Sequence, residues 1–223
     1  MNWQAMALTA ELASLASLIL MLVGIPLALW LAYSRRSWKF LAESVVALPI
    51  VLPPTVMGFY LLFAFGSDSE FGRWYQHITG STLAFTFKGL VIASVLYSLP
   101  FAINPMVAGF RSVDQKLVAA ARTLGASKFK VYSQVVLPLA WPSVVTGLVL
   151  SFAHSVGEFG VVLMVGGNIS GTTRTLSIDI YDQVEALNYH SANLTALTLL
   201  VFSSLLLCIV YGLNQKLLVW GSR

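Results

Sequence analysis

The sequence predicts an all-α integral membrane protein with five transmembrane helices, on three observations. Only 10% of the 223 residues are charged and 57% are hydrophobic, with a mean hydropathy of +0.80, whereas soluble domains carry about a quarter charged residues. Long stretches lack Asp, Glu, Lys and Arg, and a membrane span needs roughly 20 mainly apolar residues. The basic residues gather in alternate inter-span segments, as membrane topology demands.

The first span, 8–33, is built on a charge-free run over 12–34. No basic residue precedes it and it exceeds the apolar core of a signal peptide, so a permanent span is expected. The second, 44–65, contains "LPIVLPPTVMGF", with Pro49, Pro53 and Pro54. The third, 90–109, contains "LPFAINP", with Pro100, Asn104 and Pro105. The fourth, 143–165, contains "SFAHSVGEFG", and the fifth, 193–213, holds the single cysteine, Cys208. All eight prolines, including Pro26, Pro138 and Pro142, lie in or beside spans. A proline frees a carbonyl and bends the axis, and in a bilayer the freed group must be met by protein or water. Spans two and three should therefore be bent and face the interior. Two readings stand: the bends serve packing geometry alone, or Pro53, Pro54, Thr55, Gly58 and Ser98 line a pathway between the halves of a dimer. Between spans four and five, "GGNISGTTRTLSIDIYDQVEAL" is polar and glycine-broken. Leu176, Ile180, Val184 and Leu187 recur there at helical spacing, which predicts a short amphipathic helix on the outer surface.

Orientation follows from Lys and Arg. Arg35, Arg36, Lys39, Arg111, Lys116, Arg122, Lys128, Lys130, Lys216 and Arg223 make ten of the thirteen basic residues and share one side. Arg73, Lys88 and Arg174 share the other, with most of the acids. The positive-inside rule puts the first set in the cytoplasm. Five spans then place the N-terminus outside and the C-terminus in the cytoplasm. Trp30, Trp38, Trp141 and Trp220 would form an inner aromatic belt. Loop bias explains the net charge of +4, so it implies no nucleic-acid partner.

Ionisable groups inside a span point to function. His154 and Glu158 are four residues apart and share a helix face. Glu158 stands about 22 Å past residue 143, in the outer half of its span, where a structural or gating role suits it better than contact with an anion. No phosphate-binding G-x-x-x-x-G-K-[ST] loop, H-E-x-x-H or G-x-S-x-G occurs. The expectation is a transport protein that is not itself an enzyme. The alternatives are a channel, a sensor subunit, or an intramembrane hydrolase using Ser98 with His154.

The segment 111–138 joins spans three and four on the basic side and carries "VAAARTLGASKFKVYSQVVLP". Its small side chains permit close backbone approach, Gly125 can end a helix, and Ser127 can cap the next. Two readings stand on these residues alone: a knob that docks into another protein, or an interfacial linker that sets topology.

The segment also resembles the cytoplasmic signature of binding-protein-dependent ABC importer permeases, E-A-A-x-x-x-G, nine residues, I-x-L-P. Ala119, Ala120 and Ala121 take the first three places, Gly125 is the glycine, and Val135, Leu137 and Pro138 follow at the same spacing. Ala119 departs from the pattern's glutamate. Together with "ALPIVLPPTVMGFYLL", "SVGEFG" and "GNISGTTRTL", the resemblance extends to permeases of molybdate ABC transporters, and more loosely to those for sulfate, thiosulfate and tungstate. It implies one transmembrane permease domain over 1–223 in the bacterial cytoplasmic membrane. It implies that residues Ala119, Ala120, Ala121, Arg122, Thr123, Leu124, Gly125, Ala126, Ser127 and Lys128 couple the chain to a partner ATPase. The implied partners are a second copy of the chain, two cytoplasmic ABC ATPase subunits that bind ATP and magnesium, an extracytoplasmic oxyanion-binding protein and the lipid bilayer. The chain itself would hold no cofactor.

Overall fold

The computed structural model describes residues 2–220, and all its regular elements are helices. In order they are α1 (Trp3–Tyr33), α2 (Lys39–Val51), α3 (Pro54–Phe65), α4 (Glu70–Thr79), α5 (Phe87–Ser112), α6 (Gln115–Thr123), α7 (Lys128–Val131), α8 (Leu137–Leu139), α9 (Trp141–Gly157), α10 (Gly160–Gly166), α11 (Leu176–Glu185) and α12 (Tyr189–Trp220). A widened π turn, Tyr132–Val136, links α7 to α8. Arg223 lies outside the described residues, as does the side chain of Trp220.

Three helices, α1, α5 and α12, are each long and apolar enough to cross a bilayer; the count reaches five if each of two bent pairs is one span. The predicted second span is α2 followed by α3, turned by 113°. Pro53 and Pro54 cause this: neither has an N–H to continue α2, and the residue before a proline is pushed out of the helical region. Leu52 is accordingly extended, and Pro54 starts α3 at the position proline favours. The second bent pair, Lys128–Leu139 with Trp141–Gly157, turns by 70°.

The predicted fourth span, 143–165, requires correction. No helix runs through it: α9 stops at Gly157, Glu158 is extended, and α10 begins at Gly160. There is no proline at this break. Beyond the break α10 packs closely on α3 through glycines. A Cβ on Gly58 would meet Met164 Cβ at 2.7 Å, and one on Gly160 would meet Pro54 Cβ at 2.6 Å. Residue numbers rise together along this contact, so the half-helices run parallel from adjacent starts.

α1, α5 and α9 form the centre. α1 buries a stripe of small and branched residues, Ala5, Thr9, Leu12, Ala16, Leu20, Gly24, Ala28 and Leu31. α5 and α9 meet through small residues: Gly147 lies against the Ala102 carbonyl and Gly109 against Ser143, the close approach that association in lipid exploits. Two apolar clusters result. One at the basic end gathers Leu31, Val46, Met106, Phe110, Val131 and Val144; the other gathers Leu61, Phe65, Leu83, Leu90, Val161, Val165 and Ile178. Tyr33 donates to the Phe110 carbonyl at 2.7 Å and closes the basic end.

α11 is helical as expected, but its predicted apolar stripe is not its buried face. Val184 and Leu187 are exposed, while Leu176, Ile178 and Asp179 are buried. Tertiary contacts set that face: Thr9 of α1 accepts from the Leu176 N–H at 2.8 Å, and Asn2 donates to Asp179 at 2.8 Å.

Candidate functional site

The break at Glu158 opens beside a cavity of about 550 Å³ lined by Pro54, Thr55, Tyr97, Ala153, His154, Gly157, Glu158, Phe159 and Gly160. Two helix starts, Pro54 and Gly160, border it. His154 and Glu158 do not meet, contrary to their shared spacing, because the helix ends between them. Each turns to a serine of α5. Glu158 Oε2 accepts from Ser94 Oγ at 3.2 Å, and His154 Nδ1 lies 2.9 Å from Ser98 Oγ. Ser94 and Ser98 are also four apart, so two rows on facing helices match. The His154 ring stacks on Phe101 at 3.9 Å and tilts against Tyr97 at 5.0 Å. The Glu158 carbonyl accepts a hydrogen bond from Ser177 Oγ of α11. Other groups freed by the breaks are met similarly: Phe85 N–H donates to the Val165 carbonyl at 2.9 Å and Thr173 Oγ1 to the Gly166 carbonyl at 2.7 Å, as a bilayer requires.

Of the candidate pathway residues, Pro54, Thr55 and Glu158 share this cavity wall, and Pro53 is exposed just before it. Gly58 is buried against Val161 and Met164, and Ser98 is wholly buried, so both lie behind the wall. The Ser98–His154 pair does form. It lacks the arrangement a nucleophile needs: Ser98 is 0% exposed and shares its hydroxyl with Ser155 Oγ at 3.0 Å, while the imidazole is stacked on Phe101 and, among the described residues, has no carboxylate hydrogen-bonded to it. Tyr97, Phe101, Ser94 and Ser177 were not singled out from sequence. The repeated spacing of four in 94/98 and 154/158 was the available signal.

At the basic end, α6 opens on Asp114, whose side chain accepts from the Lys116 N–H at 2.8 Å. Val118 anchors it in the core while Ala119 and Ala120 face out. Ala126 N–H donates to the Ala121 carbonyl at 3.1 Å and Gly125 N–H to the Arg122 carbonyl at 3.0 Å. This is the paired closure of a Schellman motif, and Gly125 supplies its left-handed residue at φ +82°. Ser127 caps α7 as expected, accepting from the Lys130 N–H at 3.4 Å. Arg122, Thr123 and Lys128 are exposed around the turn, with Ala121 and Ala126 half-buried beneath it. Leu124 is 88% exposed and Phe129, not among the candidates, is 80% exposed. Apolar side chains standing free on a polar helix–turn–helix mark a contact surface.

Apolar spans broken beside a cavity, joined to a helix–turn–helix at the basic end, suit a membrane transport subunit. The fold is that of the MetNI methionine ABC transporter in inward-facing conformations, with a TM-score of 0.76 over 97% of this chain and 95% of that chain at 15% identity. The chain belongs to the family described as binding-protein-dependent transport system inner membrane component, which matches residues 24–219. It is similar to the molybdenum transport system permease protein ModB of Azotobacter vinelandii, 48% identical over 208 residues, covering 93% of this chain and 92% of the relative. It is similar also to the ModB permease of Escherichia coli K12, 38% identical over 184 residues, covering 82% and 80%.

Proposed function

We propose that this chain is the membrane subunit of an importer that carries molybdate, a tetrahedral oxyanion, across the cytoplasmic membrane. The observation that carries the reading is the 48% identity to a molybdenum transport permease along nearly the whole chain. In this reading two copies line one pathway, and two separate ATPase subunits bind ATP and magnesium. An extracytoplasmic binding protein delivers the anion. The basic end is cytoplasmic, the N-terminus is outside, and the C-terminus is inside. Residues 119–128, with Phe129 beside them, seat in the ATPase. Closure of the ATPases on ATP draws the two projecting turns together. The breaks at residues 52–53 and 158–159 let α3 and α10 move as one parallel pair against α5, so access alternates around the cavity at Thr55.

Reconstitution with the ATPase and binding protein tests this. Molybdate uptake should require ATP and this chain, and should outcompete sulfate. Binding-protein-stimulated hydrolysis and uptake driven by sulfate alone would replace molybdate with sulfate as cargo; tungstate is the matching competitor for the third oxyanion.

A further inference from the structure

One face of α5 joins two cavities. Tyr97, Phe101, Asn104, Ala108 and Arg111 follow at steps of four, three, four and three, so they stand in a single row. The row rises about 21 Å. Its first end is the cavity beside Glu158, where Tyr97 forms part of the wall. Its second end is a cavity of about 370 Å³ at the basic end, lined by Leu31, Glu43, Asn104, Ala108 and Arg111 among others. Phe101, half-buried and stacked on His154, stands between them. Asn104, Ala108 and Arg111 are exposed in the protomer.

The second cavity is also charged. Arg111 Nη2 donates to Glu43 Oε1 at 2.6 Å and to the Leu31 carbonyl at 3.4 Å. Lys39 Nζ lies 3.6 Å from the same carboxylate oxygen. Two cations thus share one anion, leaving a local excess of one positive charge. The Arg111 and Glu43 side chains are 49% and 42% exposed, and so wet a pair is weakly held. A guanidinium fork fits a carboxylate and a tetrahedral oxyanion equally.

We propose that this cavity is an oxyanion exit site. Arg111 receives the anion at the cytoplasmic end of the α5 row, with Asn104 as a donor two turns earlier. Glu43 is the built-in anion that occupies the guanidinium between passages. The arriving oxyanion displaces Glu43, which stays with Lys39; the carboxylate then returns to Arg111 and discharges the cargo. No bond is made or broken. The site reads charge and oxygen geometry rather than the central atom, so molybdate, tungstate and sulfate would all occupy it. The inference rests on the oxyanion-importer reading and on a cytoplasmic basic end.

The test uses the full complex in inside-out vesicles, with Cys208→Ser and Ala108→Cys. Labelling rates are compared for an anionic sulfonate thiol reagent and a cationic quaternary-ammonium reagent of similar size. The anionic reagent should be preferred. Arg111→Gln should lower the preference by roughly tenfold, since a unit charge about 6 Å away in water changes each reagent's rate by roughly threefold and in opposite directions; Arg111→Lys should keep it, and Glu43→Gln should raise it. Millimolar molybdate or sulfate should slow anionic labelling in the parent and not in Arg111→Gln. Equal protection in Arg111→Gln, or a preference that ignores all three substitutions, overturns the site. If Arg111→Gln does not insert, Glu43→Gln decides: no rise in preference overturns the proposal. The charge preference is independent of the cargo's identity. Protection by both anions, with no molybdate uptake in the reconstituted importer, therefore supports the site while removing molybdate as the cargo; protection by one anion alone overturns it.

Discussion

Glu158 ends one half-helix and is held from two sides. Its carboxylate accepts from Ser94 of α5, and its carbonyl accepts from Ser177 of α11. Its Oε1 has no hydrogen-bond partner among the described residues. Neither link requires a negative charge. Glu158→Gln keeps the bulk and an acceptor for Ser94, so uptake should stay within about twofold of the parent, a change well below the 1.4 kcal/mol that a factor of ten represents. Glu158→Ala leaves the buried Ser94 hydroxyl without its acceptor, at a cost of about 1–3 kcal/mol. It should lower the unfolding midpoint in detergent and slow uptake more than the Gln variant does. A Gln variant as slow as Ala, at normal membrane levels, would show that the charge itself is needed.

The helix–turn–helix at the basic end shows what sequence could and could not disclose. The turn at Gly125 was legible because only glycine takes the left-handed φ freely. No atom lies within 4 Å of a Cβ placed there, so Gly125→Val should act through the backbone, at about 1–2 kcal/mol. It should weaken co-purification of the ATPase, and Ala120→Trp should do so by bulk. Gly125→Asn, whose side chain tolerates that conformation, should stay near the parent, and so should Lys128→Ala. If ATPase association and binding-protein-stimulated hydrolysis are unchanged in both Gly125→Val and Ala120→Trp, the segment only sets topology. The bend at Pro53–Pro54 was equally legible, since proline announces itself. The break at Glu158 was not: 143–165 is mainly apolar around His154 and Glu158, and hydropathy carries no information about φ and ψ. It coincides with close packing of α3 on α10, Gly58 against Val161 and Met164 and Gly160 against Pro54, which sequence spacing does not show. The buried face of α11 escaped for a similar reason, being set by Asn2 and Thr9 at the distant start of the chain. The amphipathic helix α4 (residues 70–79), with Phe71 and Trp74 exposed, lay unread in the loop after span two.

Across the whole molecule, the basic end and its opposite are tied by different chemistry. Aromatic and aliphatic packing with the Tyr33–Phe110 bond closes the first; the second adds to its own apolar cluster the Asn2–Asp179 and Thr9–Leu176 hydrogen bonds that tie the start of the chain to α11. The basic bias predicts which faces the cytoplasm. A reporter inserted at Gly171 should read outside, and one fused after Arg223 should read cytoplasmic; either reversed would refute the five-span arrangement. The ties at the second end also dictate an order of assembly. Thr9 and Asn2 find their partners 167 and 177 residues later in the chain. At ribosomal speeds of about 5–20 residues per second, α1 waits in the bilayer for about 8–35 s before α11 has been made. The Leu176 N–H that Thr9 accepts does not yet exist, so the first helix to be synthesised is among the last to be locked.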